Sequence, residues 1–230
     1  MRKVAIFVEG LTEVELTVRL VEHLCHSHHY TVEVQRQYGG NLLPVRATPA
    51  APNQAPTIHV TIVNCCSDGQ VVTQIKERYA GLQAAGYTSV LGLQDLYPDF
   101  SATDVPKLQQ GFARVVPQGT IPRALHFAEL ETEAWFIDEH THYSRIAPAL
   151  TVEVIVAAGF DIVRSVGHSW PHPADTLHRI YKLGNRAYKK RGKTICRTVD
   201  AMSLPEMLGD GRQRSPSFHR FIASLEASLF

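Results

Sequence analysis

The run Val4-Ala5-Ile6-Phe7-Val8-Glu9-Gly10 decides the fold class of this chain. Its five apolar residues do not alternate with polar ones, which is typical of a strand that is covered on both faces of a sheet. A helical pattern follows it, and Thr12 with Glu15 has the spacing of a capping box at its start. The apolar positions of this helix share one face: Val14, Val18, Val21 and Cys25. Strand, turn and helix together indicate the opening of a βα unit.

The same alternation of strand and helix continues to about residue 138. Strands are predicted over Thr31–Gln37, Ile58–Val63, Val90–Gln94 and Ala124–Ala128, with helices up to Ala85 and over Asp104–Val116. The proline-rich stretch Pro44–Pro56 indicates an exposed loop. Alternating strands and helices predict an α/β fold with a mostly parallel sheet flanked by helices.

Beyond Asp138 the strand pattern fades and the sequence becomes helical, with breaks at Gly159, Trp170-Pro171 and Gly209-Asp210-Gly211, and a closing helix over Phe218–Leu229. We therefore predict an α/β catalytic core over residues 1–138. A helical C-terminal extension, packed on the core, is predicted over residues 139–230.

Composition excludes several classes of protein. The chain has 230 residues, 44% hydrophobic content and a net charge of +1, so any nucleic-acid partner must be met by a local basic patch. Its four cysteines show no C-x-x-C spacing, which favours a reducing cytoplasm. The N-terminal apolar run is too short for a signal peptide, and no stretch reaches the length of a membrane span. We expect a cytoplasmic protein with no membrane partner.

Three strands end in a carboxylate: the strand before Glu9, the strand before Asp95 and the strand before Glu129. In an open α/β sheet the carboxyl ends of the strands form the edge where ligands bind, so these acids predict a divalent-metal site and a phosphoryl-transfer enzyme. An alternative is that Glu9 only caps the first helix and that Asp95 only begins a turn with Pro98. The spacing of these residues supports both interpretations equally.

Further acids surround the last of these strands. If a helix begins near Leu130, then Glu131 lies in its first turn, and with Glu133 it adds more acid than helix capping requires. Trp135 is expected in the core rather than stacked on a base. Asp68 and Asp99 are further candidate ligands at strand ends, although turn formation explains each of them better.

The segment between Asp175 and Asp200 contains no acid and is predicted to contact a phosphate backbone. Tyr181 and Tyr188 interleave with its basic residues and are candidates for stacking on bases. A solvated basic face is an equally good interpretation. The basic residues are Arg179, Lys182, Arg186, Lys189, Lys190, Arg191, Lys193 and Arg197.

Phe7-Val8-Glu9-Gly10-Leu11-Thr12-Glu13 resembles the E-G-x-T-E opening of TOPRIM-type domains, the catalytic fold of topoisomerases, bacterial primases and overcoming-lysogenization-defect (OLD) nucleases. More narrowly, the chain resembles a prokaryotic TOPRIM-like family labelled as a domain of unknown function. That family has an E-x-E-A-W element, matched by Glu131-Thr132-Glu133-Ala134-Trp135. It also has a Tyr-x-x-Lys-like element followed by Ile, matched as Tyr-x-Lys by Tyr188, Lys190 and Ile195, and a Pro-x-Phe, matched by Pro216-Ser217-Phe218.

The resemblance implies a magnesium or manganese site with Glu9 as general acid/base or ligand, Asp95 as ligand, and one or both of Glu131 and Glu133. The chain departs from the D-x-D motif of TOPRIM domains, because Tyr97 stands at the second aspartate position. Either Asp99 or the Glu131/Glu133 pair replaces that ligand, or metal affinity has been lost. The predicted catalytic residues are therefore Glu9, Asp95 and Glu133, and the predicted metal ligands are Glu9, Asp95, Glu131, Glu133 and Asp99.

Two functions are consistent with these features. The first is a metal-dependent nuclease, for which DNA is favoured over RNA as the substrate and both stay open. The predicted contacts to the polynucleotide are Arg179, Lys182, Arg186, Tyr188, Lys189, Lys190, Arg191 and Lys193. The second is a catalytically silent TOPRIM-like sensor or scaffold subunit, which Tyr97 favours. The resemblance also implies an ABC-type ATPase partner and a place in anti-phage defence.

Overall fold

The computed structural model describes residues 1–39, 41–48, 54–67, 69–116 and 119–230. Within these ranges the chain forms six strands: β1 (Arg2–Val8), β2 (Tyr30–Tyr38), β3 (Asn41–Thr48), β4 (Ile58–Asn64), β5 (Ser89–Asp95) and β6 (Arg123–Ala128). Its longer helices are α1 (Leu11–Leu24), α2 (Gln70–Ala84), α3 (Val105–Val115), α4 (Glu133–Asp138), α5 (His142–Ile146), α6 (Val152–Ala157), α7 (Pro173–Leu183) and α8 (Gly192–Ala201). They are followed by α9 (Leu204–Glu206), a π-helical turn (Met207–Gly211), α10 (Arg212–Arg214) and α11 (Pro216–Leu229). Short 3₁₀ helices cover Ala102–Asp104 and Gly167–Ser169.

The six strands form one sheet in the order β3-β2-β4-β1-β5-β6. β1 pairs in parallel with β4 and β5, and β2 pairs in parallel with β4, whereas β3 is antiparallel to β2. Val90 N donates to Pro122 O, and further along the chain Leu96 N donates to Ala128 O. The residue numbers rise in the same direction in both segments, so β5 and β6 are also parallel. The predicted α/β fold with a mostly parallel sheet flanked by helices is confirmed.

β1 lies inside the sheet, and all residues from Val4 to Val8 are fully buried, as its unbroken apolar pattern predicts. The helix after it begins at Leu11, close to the predicted start, but its N-cap is Gly10 and not Thr12. Gly10 N donates to Glu13 Oε2 over 2.8 Å, so Glu13 takes the capping role predicted for Glu15. Glu15 instead pairs with Arg46 at 3.0 Å.

The predicted exposed loop over Pro44–Pro56 is wrong in its first part, because residues up to Thr48 belong to β3. β3 is the edge strand of the sheet and is mostly exposed, so it needs hydrogen-bond partners on one side only. An edge position tolerates Pro44, which has no N–H to donate. Asp68, a candidate ligand, lies outside the described residues.

The chain divides into two compact units. The first comprises Met1–Gln94, Thr103–Phe127 and Arg220–Phe230, and the second comprises Asp95–Ala102 and Ala128–His219. These boundaries differ from the predicted one at residue 138, because the segment after β6 packs with later helices. Trp135 Nε1 donates to Ser217 Oγ over 3.0 Å, and the Trp135 and Phe218 rings lie 5.0 Å apart. Trp135 is thus a core residue, as predicted.

No helix in the described ranges has both the length and the apolar content needed to cross a membrane.

Candidate functional site

Asp95, Glu131 and Glu133 come together in the second unit, and we call them the carboxylate cluster. Asp95 is the last residue of β5, and Glu133 is the first residue of α4. Glu131 lies in the connection between β6 and α4, so the prediction that it occupies the first turn of a helix is wrong. Leu130 has φ of +66°, a left-handed conformation that is incompatible with a helix starting there, and α4 begins three positions later.

The three carboxylates converge on the ammonium group of Lys190. Lys190 Nζ lies 3.0 Å from Glu131 Oε1, 3.2 Å from Glu133 Oε2 and 3.6 Å from Asp95 Oδ2. Each carboxylate therefore directs one oxygen at the same point. Three carboxylate groups thus face one ammonium group.

The other oxygen of each carboxylate is held by the surrounding chain. Asp95 Oδ1 accepts hydrogen bonds from Thr132 N and Thr132 Oγ1, both over 2.9 Å. Glu131 Oε2 accepts from Ala174 N over 2.9 Å, and Glu133 Oε1 accepts from the Tyr188 hydroxyl over 2.5 Å. These bonds fix the orientation of the carboxylates, as outer partners do for metal ligands.

Burial and charge act in opposite directions on Lys190. Removal from water lowers the pKa of its ammonium, but the attraction of Glu133, Asp95 and Glu131 is stronger, and the pKa of Lys190 lies above its ordinary value. Lys190 is therefore a cation at neutral pH. Its side chain is 44% exposed, whereas the side chain of Glu133 is fully buried.

The loop that carries Lys190 is tied to α7 and α8 through its carbonyl groups. Ala187 O accepts from Arg197 Nη2 over 2.5 Å, and Tyr188 O is bonded to His178 Nδ1 over 2.6 Å. Lys189 O accepts from Thr194 Oγ1. The backbone on the N-terminal side of Lys190 is thus held at three successive carbonyls.

Tyr188 and Tyr181 do not offer the base-stacking surfaces that the sequence suggests. Tyr188 is 2% exposed, and its hydroxyl is directed at Glu133; Tyr181 is fully buried, with its hydroxyl bonded to Thr198. Aromatic rings of this size pack readily in a protein interior. The charge pattern of the surrounding sequence does not show that these two rings are buried. Among the predicted nucleic-acid contacts, Tyr188 is therefore corrected to a buried partner of the cluster.

A cavity of about 410 Å³ opens beside the cluster. It is lined by Glu131, Ala174, Asp175, His178, Tyr188, Lys189 and Lys190. Because Glu131 and Lys190 belong to both the cluster and the cavity wall, a ligand in this cavity would lie directly against the cluster. The exposed basic residues of the same segment are Arg179, Lys182, Arg186, Lys189, Arg191 and Lys193.

The other predicted acids occupy different places. Glu9 lies in the first unit, directly after β1, and its role remains a prediction. Asp99 is exposed in the turn after β5 and forms no ion pair among the described residues, so Glu131 and Glu133, rather than Asp99, accompany Asp95. Glu129 faces His168, with 3.5 Å between its Oε2 and the histidine Nε2.

The donor chemistry of the cluster fits Mg²⁺ or Mn²⁺, which prefer carboxylate oxygens. The oxygens lie farther from the central point than the roughly 2.0–2.1 Å of a magnesium bond, because an ammonium group occupies that point. Within the described ranges, no group of three or more His, Cys, Asp or Glu side chains has an arrangement that could hold a metal ion. A metal ion at this position would therefore need the oxygens to move inward.

Sequence reasoning assigned Lys190 to nucleic-acid binding and missed its position at the centre of the cluster. The signal that pointed to it was the Tyr-x-Lys element, since Tyr188 and Lys190 both contact Glu133. In the structure this element brings the Tyr188 hydroxyl and the Lys190 ammonium to the same carboxylate.

Replacement of Tyr188 by Phe is expected to lower the free energy of unfolding by about 1–3 kcal/mol, because the buried Glu133 carboxylate loses its tyrosine donor. Urea denaturation measures the effect. The matched control is Tyr38→Phe, at a residue that is 74% exposed and for which we expect a change within about 0.5 kcal/mol. Equal stability of the two variants would show that the hydroxyl does not support Glu133.

Comparison with family models finds no match to this chain, and comparison with curated proteins finds none either. Among solved structures, a candidate cell surface hydrolase from Lactobacillus plantarum WCFS1 is similar to 62% of this chain, with 11% sequence identity and a TM-score of 0.30. The chain spans little more than half, 56%, of the length of that protein.

Proposed function

We propose that this protein is a metal-dependent nuclease whose carboxylate cluster binds Mg²⁺ or Mn²⁺. The observation that supports the proposal is the convergence of one oxygen each from Asp95, Glu131 and Glu133 on a single cationic position. Such oxygen-only sites suit hard divalent cations. When bound, the metal would neutralise charge on a phosphodiester and generate hydroxide for its hydrolysis.

The residues around the cluster support the proposal in two further ways. Thr132, Ala174 and Tyr188 hold the carboxylates in orientation before any ligand arrives. The cavity of about 410 Å³ beside the cluster could receive part of a substrate. The exposed basic residues of the same segment could contact phosphates along a polynucleotide strand. Glu9 is retained as a proposed general acid/base on the resemblance alone.

The resemblance also carries the wider parts of the proposal. Membership of the TOPRIM-like family, an ABC-type ATPase partner and a role in anti-phage defence are proposed on that basis. A preference for DNA is part of the same proposal, and a cytoplasmic location is proposed from the four cysteines, which show no C-x-x-C spacing.

The test is cleavage of DNA and RNA by the wild-type protein and by Asp95→Asn in Mn²⁺ and in Mg²⁺. Asparagine still accepts hydrogen bonds from Thr132 but loses the charge that holds the metal, so we expect cleavage to fall by about 10²–10³-fold. The matched control is Asp99→Asn, which alters an exposed carboxylate in the turn after β5 and should cleave like the wild type.

Two results would contradict the proposal. One is a wild-type protein that cleaves neither DNA nor RNA in either metal. The other is an Asp95→Asn variant that cleaves as fast as the wild type. A Glu9→Ala variant with unchanged cleavage would remove Glu9 alone from the mechanism.

A second candidate function is a catalytically silent sensor or scaffold subunit. The observation that favours it is Lys190, whose ammonium group already supplies the cluster with a cation, together with Tyr97 at the usual aspartate position. Titration with Mn²⁺ separates the two functions. A silent subunit shows no Mn²⁺ binding that depends on Asp95, whereas a nuclease loses such binding in Asp95→Asn.

A further inference from the structure

Lys190 and a divalent cation would use the same three oxygens, namely Asp95 Oδ2, Glu131 Oε1 and Glu133 Oε2. We propose that Lys190 is a built-in competitor for the metal: its ammonium group closes the cluster at rest, and a divalent cation binds only by displacing it. This inference rests on the proposed metal site and adds how that site is regulated.

The geometry makes the two occupants mutually exclusive. In each carboxylate one oxygen accepts a hydrogen bond from the chain and the other faces Lys190 Nζ, so a cation at this position would use the oxygens that now face the ammonium. The three oxygens now lie 3.0–3.6 Å from Lys190 Nζ. A metal bound to them would need metal–oxygen distances of about 2.0–2.2 Å, so the oxygens would have to move closer to the cation. The Lys190 ammonium and a divalent metal ion that shared these oxygens would lie close together and repel each other.

The structure also indicates what moves. The backbone preceding Lys190 is held at Ala187, Tyr188 and Lys189, so exchange does not require the loop to rearrange. The Lys190 side chain is 44% exposed and forms part of the cavity wall, so rotation of the side chain alone would be enough to take the ammonium out of the cluster. A displaced ammonium would stay beside the cavity, where it can contact a substrate phosphate.

Competition predicts a specific change in metal affinity. Replacement of Lys190 by Met keeps an unbranched side chain that is one atom shorter and removes the charge, so the variant should bind Mn²⁺ at least ten times more tightly than the wild type. The loss of free Mn²⁺ signal in electron paramagnetic resonance measures the dissociation constant without any substrate. Lys189→Met removes a neighbouring charge that makes no ion pair with the cluster among the described residues, and should change the constant by less than about threefold.

Thermal unfolding provides a second measurement. Without metal, Lys190→Met leaves three carboxylates facing one another and should unfold at a lower temperature than the wild type. Saturating Mn²⁺ should raise the midpoint of the variant more than that of the wild type, since a ligand that binds the folded state more tightly stabilises it more.

The proposal is overturned if Lys190→Met binds Mn²⁺ no more tightly than the wild type, or if neither protein binds Mn²⁺; Lys190 is then a structural counter-ion. The outcomes also separate this proposal from the proposed function. A variant that gains Mn²⁺ affinity while no form of the protein cleaves nucleic acid supports competition and contradicts the nuclease. Metal-dependent cleavage with unchanged affinity supports the nuclease and contradicts competition.

Discussion

The Gly167→Ala variant is expected to lose about 3–5 kcal/mol of its free energy of unfolding. A Cβ atom at this position would lie 1.8 Å from the carbonyl oxygen of Ala134 and 2.6 Å from its carbonyl carbon. Both are backbone atoms of α4, so no side-chain rotation relieves the overlap. The hydrogen bond from Gly167 N to Asp138 Oδ1 holds the two segments at this distance.

The effect should extend to the carboxylate cluster, because Ala134 directly follows Glu133. Urea denaturation followed by tryptophan fluorescence measures stability, since Trp135 is buried in α4. Gly111→Ala is the control. Gly111 lies within α3, and the added Cβ would meet no atom within 4 Å apart from its chain neighbours and the backbone of its own helix, so the variant should be more stable by about 0.5–1 kcal/mol. A Gly167→Ala variant within 1 kcal/mol of the wild type would contradict the close contact.

Acid is expected to destabilise the protein through His142. This imidazole is fully buried, and burial lowers its pKa from 6.5 to about 3, although the hydrogen bond to Glu139 O opposes the shift. That bond is 2.5 Å long, and since a carbonyl can only accept, Nδ1 carries the proton of the neutral ring. The ring centroids of Tyr143 and Tyr181 lie 3.9 and 5.8 Å from that of His142. Aromatic rings thus take the place of the water that would solvate a charged imidazole.

The free energy of unfolding falls in acid because the unfolded chain binds a proton more readily than the folded chain does. Below about pH 6.5 the unfolded chain binds a proton at His142, whereas the folded chain does not do so until about pH 3. Stability from this group is therefore present above pH 6.5 and is lost as the pH falls toward 3. The loss approaches about 1.4 kcal/mol for each pH unit inside this window.

Denaturation curves from pH 7 to pH 4 test this expectation in the wild type and in His142→Gln. The variant should show a shallower dependence of unfolding free energy on pH, whatever its absolute stability, because glutamine does not titrate. His29→Gln, at an exposed histidine, should keep the slope of the wild type. An unchanged slope in His142→Gln would show that His142 is not the group responsible.

Local patterns in the sequence were enough to determine the fold class. The unbroken apolar run of β1 marks a strand covered on both faces, and the 3.6-residue spacing of α1 marks a helix with one buried face. The carboxyl ends of parallel strands share one edge of a sheet, which explains why Asp95 was expected near Glu131 and Glu133. Their proposed role in binding metal remains a prediction.

Only the tertiary structure decided what meets the cluster. Tyr188 and Lys190 reach Glu133 across 55 and 57 positions of sequence, and the amide of Ala174 reaches Glu131 across 43. A basic run has the same appearance in sequence whether its lysines face solvent or an acid. The tyrosines within that run were likewise expected to be exposed. Contacts of this kind depend on how α4, α7 and the loop before α8 pack together, and such packing leaves no periodic signal in the residues that take part.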